Sequence, residues 1–160
     1  MYGHANGETI EEVLVNLGQM IAEGYKVVRL QSALPKAKGT YGTLGGKKNY
    51  YELQSSRSLP PELEWNTAKY MNFIPELFKR ARAEYCNEIR LCHDVHNRLT
   101  PIEAARLGKM LEPYDLLFLE DMVLADNQDS FKLIRQHTTT PLAIGETSVS
   151  YTHLTLPTKA

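Results

Sequence analysis

Apolar positions along the chain follow two alternating rhythms. Ile10, Val13, Leu14, Leu17 and Ile21 recur every three or four residues, which predicts a helix, and Thr9 with Glu12 has capping-box spacing at its start. Short apolar or β-rich runs flank that helix. One covers 2–6 and stops at Asn6-Gly7. The other covers 25–30, holds Val27 and Val28, and follows a break at Glu23-Gly24. The three segments make one βαβ unit.

The rhythm is lost from about 31 to 65. This stretch holds Gly39, Gly42, Gly45, Gly46, Pro60 and Pro61 among several tyrosines and lysines. A connection this long in a compact domain is usually functional, and its aromatics favour an active-site lid over a surface insert. Helical spacing returns over 67–85 through Tyr70, Phe73, Ile74, Leu77 and Phe78, with Pro75 as a place for a bend. A strand over 88–92 leads into His93-Asp94-Val95-His96. Thr100-Pro101-Ile102-Glu103 then starts a helix with a Thr cap, Pro at its first position and Glu at its third. That helix runs to about Leu111. An apolar strand at 116–119 ends in Glu120-Asp121. Asn127 caps a helix through Phe131, Leu133, Ile134 and Gln136, and a last strand at 141–144 ends in Gly145-Glu146.

Strands apolar on both faces that alternate with helices imply a parallel sheet. Asp94 to Glu120 and Glu120 to Glu146 are both steps of 26 residues. Equal βα steps that each end a strand in an acid fit a barrel whose strand ends share one mouth. The predicted class is therefore α/β, a partial TIM (β/α)8 barrel of roughly the first five strands, left as an open half-barrel. A doubly wound sheet is the competing architecture, but no Gly-rich phosphate fingerprint follows any strand.

Composition narrows the partners. Apolar content is 42%, charged content 23% and formal net charge −1, an ordinary globular balance with no basic surplus for nucleic acid. No signal peptide or membrane-length apolar span is read, so a cytoplasmic location without membrane or nucleic-acid partners is expected. Cys86 and Cys92 are too few for a disulfide framework and are expected as buried thiols.

Three acids at equivalent strand ends, Asp94, Glu120 and Glu146, would repel one another without a cation between them, and hard oxygen ligands suit Mg²⁺. A single such acid would read as a solvated loop residue or a helix cap; three at one period read as a site. His96, two residues after Asp94, is expected on the same side as a general acid or base, leaving His93 as structural. Arg29 ends the second strand. It can pair with a substrate carboxylate, lower the pKa of a phenol such as Tyr41, or form a salt bridge at the barrel rim. Tyr41 is a candidate base or a packed lid aromatic, and His4 at the end of the first strand is equally open.

Several segments together resemble the enolase superfamily, in particular the mannonate dehydratase group of its mandelate racemase/muconate lactonizing-like branch. They are Tyr2-Gly3-His4-Ala5-Asn6-Gly7, Gly24-Tyr25-Lys26, Thr40-Tyr41-Gly42, His93-Asp94-Val95-His96, Leu99-Thr100-Pro101-Ile102-Glu103-Ala104-Ala105, Leu119-Glu120-Asp121 and Gly145-Glu146. The sharpest is His-Asp-Val-His followed by Arg98-Leu99-Thr100-Pro101.

The resemblance implies a Mg²⁺-dependent sugar-acid dehydratase. It would convert D-mannonate to 2-keto-3-deoxy-D-gluconate by C2 proton abstraction and loss of the 3-hydroxyl through a metal-stabilised enediolate. On this likeness Asp94, Glu120 and Glu146 are the metal ligands. Tyr41, assisted by Arg29, is the base, and His96 is the acid that protonates the leaving hydroxyl. His4 and Glu146 contact substrate. D-gluconate or another acid sugar is the alternative substrate, and a weakly active starvation-sensing-type regulator the alternative role.

The family's capping domain and late barrel strands have no counterpart here. Residues 1–146 are therefore expected to be the first part of the barrel domain, inactive and poorly soluble alone, with the full-length parent a homo-oligomer. The run 149–158 resembles the translation of a sequencing-library transposase adapter, so 147–160 is expected to be a non-native tail.

Overall fold

The computed structural model of the chain describes residues 2–32, 66–124 and 128–145. The elements are β1 (Gly3–Gly7), α1 (Ile10–Ala22), β2 (Val27–Ser32), α2 (Thr67–Tyr85), β3 (Arg90–Asp94), α3 (Pro101–Leu111), β4 (Phe118–Glu120), α4 (Gln128–His137) and β5 (Leu142–Ala143). A 3-10 turn at Glu112–Tyr114 follows α3.

All five strands are parallel and lie side by side in chain order. A doubly wound sheet reverses its strand order at a switch point. This order never reverses, so right-handed crossovers stack the helices on one face, as in a barrel wall. Among the described residues β1 and β5 are the outer strands, and the wall is open.

Helix starts follow the predicted caps. The Thr9 hydroxyl accepts from Glu12 N at 3.2 Å. Thr100 and Glu103 form a full capping box with Pro101 in the first turn. At α2 the cap is Asn66, whose Oδ1 accepts from Lys69 N at 2.9 Å. The apolar spacing did not reveal that residue. The proposed Asn127 cap lies outside the described residues.

The helix-facing side of the sheet carries the core. Ala5, Val28, Leu30, Leu91 and Leu119 are fully buried there, with Leu17, Ile74, Leu77, Phe78, Leu107, Leu111 and Ile134 from the helices. Arg82, at the end of α2, ties the lower ends of the strands together. Its guanidinium donates to the carbonyls of Tyr114, Cys86, Ile89 and Asp115 at 2.7–3.0 Å.

Four expectations change. Arg29 sits in the middle of β2, not at its end, because Gln31 and Ser32 continue the strand into the stretch read as the lid. The rest of that stretch, with Tyr41, lies outside the described residues, as do Glu146 and the tail. Cys86 is exposed, since it caps α2 with φ 50° at a surface turn; only Cys92 is buried. His96 lies beyond β3 in the left-handed region, with φ 53°, so strand alternation does not aim it.

Candidate active site

Register alone lines up the polar residues. His4 pairs with Arg29, Arg29 with Cys92, and Cys92 with Phe118, forming one row across the sheet. Two residues further on, where side chains return to the same face, Asn6 pairs with Gln31, Asp94 with Glu120, and Glu120 with Ala143. Asp94 and Glu120 thus stand side by side at the carboxyl ends of adjacent strands, on the face away from the helices.

Contacts confirm that these side chains share one space. Arg29 Nη1 donates to Asp94 Oδ2 at 2.7 Å, with both side chains almost fully buried. Its Nη2 is 3.0 Å from His4 Nδ1. His96 Nε2 is 3.0 Å from Asp94 Oδ2, and His96 N donates to Asp94 Oδ1 at 2.8 Å. Gln31 Nε2 reaches both the Asp94 carbonyl and His96 Nδ1, each at 3.1 Å. Tyr2 stacks on His4 with ring centroids 5.2 Å apart, and its hydroxyl donates to Glu120 Oε2 at 3.5 Å.

The loops beyond the strands keep this geometry. Val95 N donates to Glu120 O at 3.0 Å, Leu99 N to Met122 O at 3.3 Å, and Asp121 N to Ala143 O at 3.0 Å. Asp121, with φ 42°, turns its carboxylate to accept from Gly145 N at 3.3 Å. His96 therefore reaches Asp94 because the 95–99 and 120–122 loops run together.

Burial dominates the electrostatics. It pushes the Asp94 carboxyl up to about 7, helped by the nearby Glu120 charge and opposed by the His96 N–H and Arg29. Burial and then Arg29 hold the His96 ring down at about 3, so this imidazole is neutral at neutral pH. The same two causes lower His4. Tyr2 is raised to about 12 by burial and then by Glu120. Cys92 is likewise raised to about 12 by burial, which makes it an inert thiol in the floor of the site.

His93 is structural, as expected. It faces the helices, accepts from the Tyr70 hydroxyl through Nε2 at 2.7 Å and donates from Nδ1 to Leu30 O at 2.8 Å. Tyr2, Gln31 and Asp121 were missed as site residues. Gln31 had a usable signal, its two-residue offset from Arg29, hidden by placing 31 in the loop.

The donor set suits a hard divalent cation. Asp94 and Glu120 offer oxygen ligands on one register row, and the Glu120 charge disfavours that of Asp94 until a cation lies between them. Among the described residues no three His, Cys, Asp or Glu side chains gather into a metal cluster. The third acid of the period, Glu146, lies three residues past Ala143 and outside the described residues.

The family model described as enolase C-terminal domain-like matches residues 67–155. The chain belongs to that family. Over 146 residues it is 56% identical to a D-mannonate dehydratase of Caulobacter vibrioides, covering 91% of this chain and 36% of that protein. It is 51% identical to a D-galactonate dehydratase family member, RspA, of Halomonas elongata, with the same coverage. An enolase from Pantoea ananatis, solved with D-gluconate and Mg bound, is 32% identical with a TM-score of 0.74. It covers 94% of this chain and 38% of its own. The chain thus spans about 36% of the length of the curated relatives it matches, and the wall it forms is part of the barrel of this superfamily.

Proposed function

We propose that the chain contributes one wall of a Mg²⁺-dependent sugar-acid dehydratase acting on D-mannonate. The observation that carries the reading is the row of Asp94 and Glu120 at adjacent strand ends, with Arg29 and His96 in direct contact with Asp94. Relatives named D-mannonate dehydratase support the substrate. Metal binding alone would need only the acids. A buried cation and a histidine gathered around them support catalysis.

Asp94 and Glu120, with Glu146, would hold the metal. Bound there, Mg²⁺ would offset the negative charge that develops on the sugar acid when the proton beside its carboxylate leaves. Tyr41 takes the C2 proton, and the Arg29 guanidinium favours its phenolate. His96 delivers a proton to the departing 3-hydroxyl, which leaves as water, and the enol that remains rearranges to 2-keto-3-deoxy-D-gluconate. An anionic substrate beside His96 favours the protonated ring, against the burial that holds it neutral in the structure. His4, on the same row as Arg29, contacts substrate together with Glu146.

D-gluconate is the second reading, supported by the gluconate-bound Pantoea neighbour. A soluble homo-oligomer in the cytoplasm is the setting we propose; among the described residues no helix is long and apolar enough to cross a membrane. The test is a dehydration assay of the full gene product over a panel of sugar acids, with Mg²⁺ and with chelator. D-mannonate is expected to turn over with Mg²⁺ only. Preferred turnover of D-gluconate selects the second reading, and no turnover of any acid sugar favours a regulatory role. The 160-residue chain alone is expected to be inactive in the same assay.

A further inference from the structure

Tyr2 falls on the same inward parity as His4 and Asn6, because alternate residues of a strand share a face. Its side chain starts beside the first strand and reaches the fourth. The ring stacks on His4, with centroids 5.2 Å apart and planes 19° apart, and meets Phe118 edge-on at 6.2 Å. His4 and Phe118 lie on one register row, joined through Arg29 and Cys92. In sheet order β2 and β3 lie between β1 and β4. In a flat sheet, strands so placed stand about 14 Å apart, so the curl of the wall is what brings the phenol to Glu120.

Packing explains the ring but not the hydroxyl, since Phe would make both aromatic contacts. The hydroxyl is 3.5 Å from Glu120 Oε2, which is long for O–H···O. The last torsion of a glutamate is broad, so a small turn of the carboxylate closes the gap. The same softness makes a fixed donor useful. A ring held on two sides keeps its hydroxyl in one place and selects one plane for a carboxylate that would otherwise turn. Asp94, the other acid of the row, is held in a comparable way by Arg29 and by the His96 backbone N–H.

We propose that Tyr2 is a positioning residue for the metal centre: its phenol orients Glu120 through Oε2 and leaves Oε1 to the cation. The inference deepens the metal-holding role given to Glu120 and rests on it.

The test is calorimetric titration of Mg²⁺ into the full gene product, with thermal melting in chelator beside it. Tyr2→Phe keeps the ring and removes only the hydroxyl. It is expected to bind Mg²⁺ about 10–100-fold more weakly than wild type, the usual cost of losing an outer-shell partner, with an unchanged melting temperature. On a Glu120→Ala background the phenol has no carboxylate to orient. There Tyr2→Phe is expected to change Mg²⁺ affinity by less than about twofold.

Wild-type Mg²⁺ affinity in Tyr2→Phe overturns the proposal. So does an undiminished loss from Tyr2→Phe on the Glu120→Ala background. A wild type that binds no Mg²⁺ sinks this inference and the metal reading together. Phenol-dependent Mg²⁺ binding by a wild type that turns over no sugar acid leaves the role of Tyr2 standing and removes the dehydratase reading.

Discussion

His93 and Asp94 are neighbours in β3, both 1% exposed, and they face opposite chemistries. His93 points to the helices. It spends both ring nitrogens on Tyr70 and the Leu30 carbonyl and lies edge-on to Phe78, so burial leaves it neutral, near 4, and satisfied. Asp94 points the other way, into a face holding Arg29, His96, Gln31 and the neighbouring Glu120. One side of this wall is built to be stable. The other gathers charges that a stability argument would remove, because a buried ion pair rarely outperforms well-packed apolar residues.

Breaking the inner face should have the largest effect. Asp94→Ala takes the carboxylate from a guanidinium that is 5% exposed and is expected to lower stability by about 3–5 kcal/mol in denaturant unfolding. Replacing the pair together, Arg29→Met with Asp94→Leu, is expected to restore most of that stability without restoring activity. A double variant as unstable as Asp94→Ala would show that the pair is structural.

Breaking the outer face separates the two roles from the other direction. Leu91 is fully buried against the helices, one residue from Cys92 on the inner row. Leu91→Ala is expected to cost about 2–5 kcal/mol while leaving Mg²⁺ affinity near wild type, as judged by unfolding and metal titration on the same sample.

The smallest effect lies at the rim, away from both faces. Glu112 accepts from Lys109 Nζ at 2.8 Å and Thr139 N at 2.7 Å, and these contacts hold its carboxyl down at about 2 against an ordinary 4.5. A depressed carboxyl adds stability that is complete above the unfolded value and lost as pH falls toward the folded one. Glu112→Gln should therefore melt slightly below wild type at pH 7, and the gap should close between about pH 5 and 2. A gap that persists at pH 2 would assign the effect to the neutral hydrogen bonds.

The outer face was legible in the sequence because its signal is periodic. Val13, Leu14 and Leu17 mark α1, Ile74, Leu77 and Phe78 mark α2, and the Thr100–Glu103 box fixes the start of α3. The alignment of Asp94 with Glu120 was legible from the 26-residue step, because in-order parallel strands convert equal spacing into equal height. Three things were not. Gln31 is polar in a strand whose inner face is polar, so the pattern that ends a strand elsewhere continues this one. His96 reaches Asp94 through a left-handed turn braced by the next loop, and no periodicity describes such a turn. Arg82 joins four carbonyls from separate turns, a convergence that exists only after folding.

We propose that the inner face collects a divalent cation between Asp94 and Glu120. Calorimetric titration of Mg²⁺ into the full gene product, beside Asp94→Asn and Glu120→Gln, tests it most directly. Saturable binding is expected for the wild type and at least about tenfold weaker binding for each variant, with folding retained. Wild-type affinity in a folded Glu120→Gln protein would contradict it.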